Sequence, residues 1–481
     1  MKKNLLYYTI LSAIILIGCS KEPDNIDVPE PIPADELLFP KKEMRSVWIT
    51  TAWGLDWPMG KYDITAQKNQ YIQYLDLFKE LNINTVIVQV KPMGDAFYAS
   101  PYEPWSASIT GTRGQEPGYD VLKFMIDEAH QRGIEFHAWM NPYRIATRAN
   151  NSTPYPPLHA SVKSEWVVNH EKIQIYNPAL PEVRQRLADI VKDLVTKYEV
   201  DGIHFDDYFY PDPSAAGIMV SDAGDYQQYG AGYTSVEDFR RGNVDKAIKA
   251  VHDAIVTTRP GIVFAVSPAA GPDYNMNTLF ADITGWCREG WIDIVMPQLY
   301  QEIGNQYNDF QARLGWWTQY SYQAVPMVGH GYYKFGDPAY PSAFQSPLEL
   351  ERQFELTKRN TKVMGNALYS ARFVLFNKIG ITDKLASIYS NPAVIPFLGR
   401  GVAPAPSKPQ HVSIANGQLT WQKSADDRSV VYHFTDLKRE GKVVTVTSVT
   451  SLPVSVPGYY CITTINADNR ESAPSDIAEK K

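Results

Sequence analysis

From residue 46 onward the chain alternates short apolar or β-branched runs with stretches of helical period, and does so eight times. The runs cover 46–51, 85–90, 135–140, 202–206, 263–266, 292–296, 325–328 and 367–372. Their near-continuous apolar character predicts strands of a parallel sheet covered on its outer face. Between them apolar residues recur at helical spacing in 71–81, 121–130, 183–198, 244–256, 309–320 and 348–357. Eight strand–helix units predict an α/β fold, a (β/α)8 TIM barrel spanning 41–397. A doubly wound sheet is the alternative, disfavoured because no glycine-rich phosphate turn follows the first strand.

A barrel of this kind gathers its chemistry at the C-terminal ends of its strands. Reading those ends in turn yields Trp53 and Trp57, then Asp95, then Asn141, Tyr143 and Arg144. The fourth strand offers His204, Asp206, Asp207 and Tyr208; later strands offer Asp273, then Gln298, Tyr300 and Glu302, then His330 and Arg372. The sharpest stretch is Asp201-Gly202-Ile203-His204-Phe205-Asp206-Asp207-Tyr208. Alternation along a strand puts Ile203 and Phe205 under the helices and points His204 and Asp206 into the barrel mouth. A carboxylate there is partly desolvated, which tunes its pKa.

These residues carry a family resemblance. Met44-Arg-Ser-Val-Trp-Ile-Thr-Thr51, Ile87-Val-Gln-Val-Lys91, Trp139-Met-Asn-Pro-Tyr-Arg144, Asp201 to Tyr208 and Asp293-Ile-Val-Met-Pro-Gln-Leu-Tyr300 together resemble the glycosyl hydrolase-like 10 family. That resemblance implies a hydrolase of peptidoglycan glycan strands lacking stem peptides. More distantly, Asp201-Gly-x-x-x-Asp206 resembles the fourth-strand pattern of the α-amylase clan, which implies a nucleophilic role for Asp206. The same stretch resembles the chitinase pattern, but Tyr208 stands at the chitinase acid position and His204 replaces an inner aspartate, so substrate assistance does not carry over.

Glycoside hydrolysis by two carboxyl groups needs one protonated and one ionised member. Asp206 is the first. The second is open among Asp207, Glu302, Asp95 and Asp273, with Asp207 and Glu302 placed foremost. His204 and Asn141 are read as positioning groups, and Arg144, Gln298 and Tyr300 as hydrogen-bond partners of sugar hydroxyl or acetamido groups. Trp53, Trp57 and Trp105 are read either as sugar platforms or as loop packing, and Trp48, Trp139 and Trp291 as core. No metal or other cofactor is expected: His204, Asp206 and Asp207 lack a ligand partner at a defined spacing. Ser267 is not in a nucleophile elbow, and Cys287 and Cys461 read as buried small hydrophobes.

Residues 1–18 carry a basic start and an apolar stretch ending in Gly18, and Leu16-Ile17-Gly18-Cys19 resembles a bacterial lipobox. The expectation is a lipoprotein signal peptide, lipidation of Cys19, and a flexible tether over 19–40. An ordinary secretory signal is the alternative. Localisation would then be extracytoplasmic, lipid-anchored to the bacterial outer membrane on its periplasmic or cell-surface face. A Pro-rich linker at 398–410 precedes short alternating strands over 411–481, which resemble a fibronectin type III domain, a small all-β sandwich available for protein contact. With 46 basic against 53 acidic residues and a net charge of −7, there is no basic excess for a nucleic-acid partner. The expected function is therefore a membrane-anchored glycoside hydrolase acting on peptidoglycan or a related glycan. The alternative is a non-catalytic glycan-binding lipoprotein that uses the same barrel mouth for capture.

Overall fold

The computed structural model describes residues 34–481 apart from Val402. The leader, Cys19 and most of the tether lie outside the described residues. Among the described residues no helix is long and apolar enough to cross a membrane.

The expected eight strands form one parallel sheet. They are β1 (Met44–Ile49), β2 (Thr85–Lys91), β3 (Glu135–Met140), β4 (Gly202–Phe205), β5 (Val263–Val266) and β6 (Ile294–Val295), then β7 in two pieces (Val325–Pro326 and Val328–His330), and β8 (Gly365–Tyr369). The first piece of β7 pairs with β6 and the second with β8, while β8 pairs with β1. The sheet therefore closes on itself as a barrel. Helices α1 (Ile64–Glu80), α2 (Val121–Gln131), α3 (Pro181–Lys197), α4 (Val236–Thr258), α5 (Ile283–Glu289), α6 (Phe310–Gln319), α7 (Leu348–Arg359) and α8 (Ile381–Ile388) follow the strands in turn. Several start on a side-chain cap that satisfies a free N–H: Asp63 accepts from Ala66, Asp120 from Lys123, Ser235 from Asp238 and Asp309 from Ala312.

Strand alternation divides the core into two layers. Val47, Val86, Val88, Phe136, Ile203, Phe205 and Phe264 pack outward under the helices. Met44, Trp48, Ile87, Trp139, Ala265 and Met327 fill the barrel interior. Leu398, from the segment after α8, joins that inner cluster.

The C-terminal part is all-β, with a three-stranded antiparallel sheet (Gln410–Ala415, Gln418–Gln422, Ser451–Pro453) and a four-stranded one (Lys442–Thr447, Arg428–Phe434, Gly458–Ile465, Ala478–Lys480). Trp421 and Cys461 are buried in it, and the Trp421 indole N–H donates to Ser429 Oγ at 2.7 Å. Its contacts with the barrel lie at strand starts. Asn469 donates to Glu135 at the head of β3, and Lys42, just before β1, pairs with Glu471. The barrel mouth opens at the opposite end.

Candidate active site

The motif entering β4 separates into structural and chemical positions. Asp201 accepts the Phe136 backbone N–H at 2.7 Å and meets His130 at 2.8 Å, so it ties the start of β4 to β3. Gly202 has no room for a side chain, because a Cβ there would stand 2.7 Å from the His137 ring. Ile203 and Phe205 pack outward. His204 points inward: its Nε2 accepts from the Trp48 indole N–H at 3.4 Å and meets Ser267 Oγ at 2.7 Å.

Asp206, 4% exposed, stands where β4 ends. Its Oδ2 accepts the Trp139 indole N–H at 3.0 Å and its Oδ1 the Tyr208 backbone N–H at 3.2 Å. Burial, and then the neighbouring Asp207 charge, push its carboxyl up to about 7, against Arg144 and those two hydrogen bonds. Asp207 is only partly buried and lines a cleft of about 520 Å³. Desolvation raises its carboxyl to about 6, opposed chiefly by a hydrogen bond from Gln298. Gln298 also donates to the Ser267 carbonyl at 3.0 Å. Asp273, Gln298, Tyr300, Tyr307, Arg313 and Lys334 share that cleft. Tyr300 stacks on Tyr369 at 5.8 Å.

Across Asp206 lies a second wall. Arg144, first residue of a small antiparallel sheet inserted between β3 and α3, sits 4.3 Å over the Tyr208 ring and 5.8 Å from the Trp53 ring. Trp53 is 61% exposed and Tyr208 47%. These two rings offer free faces, and a guanidinium behind them is held by the Pro92 carbonyl.

Other expected site residues lie elsewhere, for physical reasons. Trp57 is fully buried and donates to the Gln67 carbonyl at 2.9 Å, so it packs the loop rather than a sugar. Tyr143 is buried in the outer core, where desolvation raises its phenol pKa. His330 shares the parity of Val328, which packs outward; its ring lies between Phe310 and Phe354 and meets Gln353 and Asn366 at 2.9 Å each. Arg372 is not on a strand: β8 ends at Tyr369, and Arg372 follows in a short helix, reaching Asp56 and the Leu55 carbonyl. Asp95 is buried against Arg113 at 3.5 Å. His204 and Asn141 are fully buried and touch no open surface; Asn141 Oδ1 accepts from Gln89. Glu302 accepts from Asn305 and does not line the cleft.

Trp139 reads as core from the sequence and does belong to the inner cluster, yet its N–H holds Asp206. Only its parity with inward-facing residues on β3 could have flagged it. Lys334 and Arg313, which line the cleft, lie in loop and helix segments whose sequence carries no site signal. Among the described residues no group of three or more His, Cys, Asp or Glu is arranged to hold a metal ion.

The arrangement sets two consecutive carboxyl groups, Asp206 and Asp207, between two polar, aromatic walls. The profile of a family described as Glycosyl hydrolase-like 10 matches residues 43–340. Glycosyl hydrolase YngK of Bacillus subtilis (strain 168) is 35% identical over 402 residues, covering 79% of this chain and 78% of that protein. Glycosyl hydrolase DigH of Escherichia coli (strain K12) is 32% identical over 363 residues, covering 68% of this chain and 82% of that protein. Among solved structures, the PgaB (BpsB) glycoside hydrolase domain from Bordetella bronchiseptica aligns with a TM-score of 0.48 at 13% identity, over 72% of this chain and 98% of that one.

Proposed function

The chain belongs to the glycosyl hydrolase-like 10 family and is a glycoside hydrolase, and we propose that Asp206 and Asp207 cleave the glycosidic bonds of peptidoglycan glycan strands or a related polysaccharide. One arrangement carries this reading: two consecutive carboxyls stand at the end of β4, Asp206 held by two N–H donors and Asp207 on the cleft, and burial, then the Asp207 charge, lifts Asp206 to about 7 while desolvation lifts Asp207 to about 6. Between those values the pair holds a single proton, which belongs to the pair rather than to either residue. That is the state in which one carboxyl protonates a leaving oxygen while the other acts on the anomeric carbon or on water.

Geometry supports a division of roles. Asp206 is fixed at both oxygens by N–H donors, which orients it and favours its ionised form. It takes the nucleophile or base position once the pair's shared proton lies on Asp207, although burial and the Asp207 charge leave Asp206 the weaker acid of the two before substrate binds. Asp207 opens on the cleft and delivers the proton. Trp53 and Tyr208 receive sugar faces on one side, and Tyr300 and Gln298 hold hydroxyl or acetamido groups on the other.

The test uses Asp206→Asn and Asp207→Asn on peptide-free peptidoglycan glycan and on an aryl glycoside with a good leaving group. Asp206→Asn is expected to lose turnover on both. Asp207→Asn should lose the glycan activity and keep that on the aryl glycoside, whose departure needs no proton. Unchanged glycan turnover in Asp206→Asn would sink the assignment.

The same reading includes diacylation of Cys19 and attachment to the outer membrane, supported by the Leu-Ile-Gly-Cys end of the apolar stretch. It also takes the C-terminal domain as fibronectin type III-like and a candidate for protein contact, supported by its three- and four-stranded sheets and the buried Trp421.

A further inference from the structure

The loop after β5 carries the short helix Pro272–Asn277. Asp273 on that helix lines the catalytic cleft and also a second, smaller pocket of about 110 Å³. Met276 of the same helix, Ile283 and Thr284 at the start of α5, and Trp316 and Trp317 on α6 line this second pocket too. The two places share one frame. Asn275 Oδ1 accepts the Ala269 N–H at 3.0 Å, and its Nδ2 donates to the Ala269 carbonyl at 2.8 Å. The Trp317 indole N–H donates to the Ala270 carbonyl at 3.0 Å, and Ala269 and Ala270 are themselves walls of the cleft.

The two neighbouring tryptophans differ in their surroundings. Trp317 is buried in the outer core. Trp316 packs on the same core but stays partly open. Its plane is set by Trp317, edge-on at 4.9 Å, and by Tyr320, tilted against it at 4.7 Å. The free polar groups beside it are acceptors. Asp273 is exposed, and among the described residues nothing bonds to its carboxylate. Thr284 spends its hydroxyl proton on Asp282 Oδ1 at 3.1 Å and keeps its lone pairs. Among the described residues no lysine or arginine lines the pocket. A fixed aromatic ring beside free acceptors suits a molecule with an apolar face and a rim of donors, and the Asp273 charge disfavours an anion there. A pyranose without acid groups has that form, with C–H bonds on its faces and hydroxyls at its edge.

We infer that the Trp316 pocket is an accessory binding site for an uncharged sugar of the same glycan, away from the bond that Asp206 and Asp207 cleave. The inference rests on the glycan reading above and adds a second point of contact, reached past Asp273. A long strand engages both places and a short substrate only the cleft, so Trp316 makes turnover depend on chain length.

Steady-state kinetics of the full chain on long peptide-free glycan strands and on a single-sugar aryl glycoside test this. Trp316→Leu keeps an apolar contact with the core but removes the flat face, Trp316→Tyr keeps a face, and Met276→Arg fills the pocket from the short helix. Trp316→Leu and Met276→Arg are each expected to raise KM on long strands about tenfold with kcat kept. Trp316→Tyr should stay within about threefold of the parent, and all three should turn over the aryl glycoside as the parent does. An equal loss on both substrates, or an unchanged KM on long strands in a folded Trp316→Leu or Met276→Arg protein, would overturn the inference. Calorimetry on the Asp206→Asn protein separates it from the hydrolase reading. Long-strand binding that weakens about tenfold when Trp316→Leu is added, beside a wild-type protein with no turnover, would overturn that reading alone and leave this one standing.

Discussion

A carboxyl held near 7 sets a conflict between folding and chemistry at Asp206. Its pKa rises from 3.8 unfolded to about 7 folded, so between those values the native state binds a proton that the unfolded chain releases. Stability attributable to this group is therefore highest at low pH and falls as pH rises through that window. Asp206→Asn is expected to be more stable than the parent by about 1–3 kcal/mol at pH 8. The difference should vanish below about pH 4, where both states of the parent are protonated. Glycan hydrolysis should drop about a thousandfold in the same variant. Urea titrations at pH 4 and pH 8 check the sign; an Asn variant less stable at pH 8 would contradict it. Asp206 was legible because alternation along β4 leaves it no other direction. Trp139 was not, because an inward indole reads as core filler until its N–H is seen to meet a carboxylate. His330 misled for the opposite reason: its place after a strand suggested the mouth, while its parity with Val328 sends it outward.

Elements inherit their exactness from single positions, and β4 is the plainest case. The glycine at its start is needed because the His137 ring occupies the space where a side chain would go. Gly202→Ala is expected to cost about 1–3 kcal/mol, since His137 is fully buried and has no room to yield. Gly224→Ala, in the helix Ala223–Tyr229 with nothing within 4 Å of its added Cβ, should be neutral or stabilising by up to about 1 kcal/mol. Thermal unfolding of the two variants side by side checks this; equal effects would show that the His137 contact does not govern the first. All eight barrel strands were legible from apolar runs bounded by helical stretches. Their ends were less so: β6 shrinks to Ile294–Val295, and the eighth run stops at Tyr369 where the chain turns into a helix. The small sheet formed by Arg144–Thr147, Val167–His170 and Ile173–Tyr176 was not anticipated, because its short strands lack a helix between them. That sheet delivers Arg144 to the mouth.

At the scale of the whole molecule, the segment after α8 does more than link. Leu398 enters the inner cluster, and two residues on Arg400 donates through Nε to Asp293 at 2.6 Å, with further contacts to His252 and the Trp291 carbonyl. Asp293 in turn accepts the Phe264 N–H at the head of β5. A Pro-rich composition gave no hint of this, since the pairing is between residues 107 apart in sequence. Burial raises the Asp293 carboxyl to about 6 even with Arg400 opposing it. Removing the guanidinium raises it further, so the native state is penalised for holding an unpaired charge at neutral and alkaline pH. It escapes that penalty by protonation in acid. Arg400→Met is therefore expected to lose about 3–5 kcal/mol at pH 8 and much less at pH 5. The barrel mouth lies at the other end of the strands, so kcat on glycan at low temperature should be retained. Denaturant unfolding at the two pH values, read beside the kcat, decides the matter. An equal loss at both would mean that the side-chain packing of Arg400, and not its charge, joins the segment to the barrel floor.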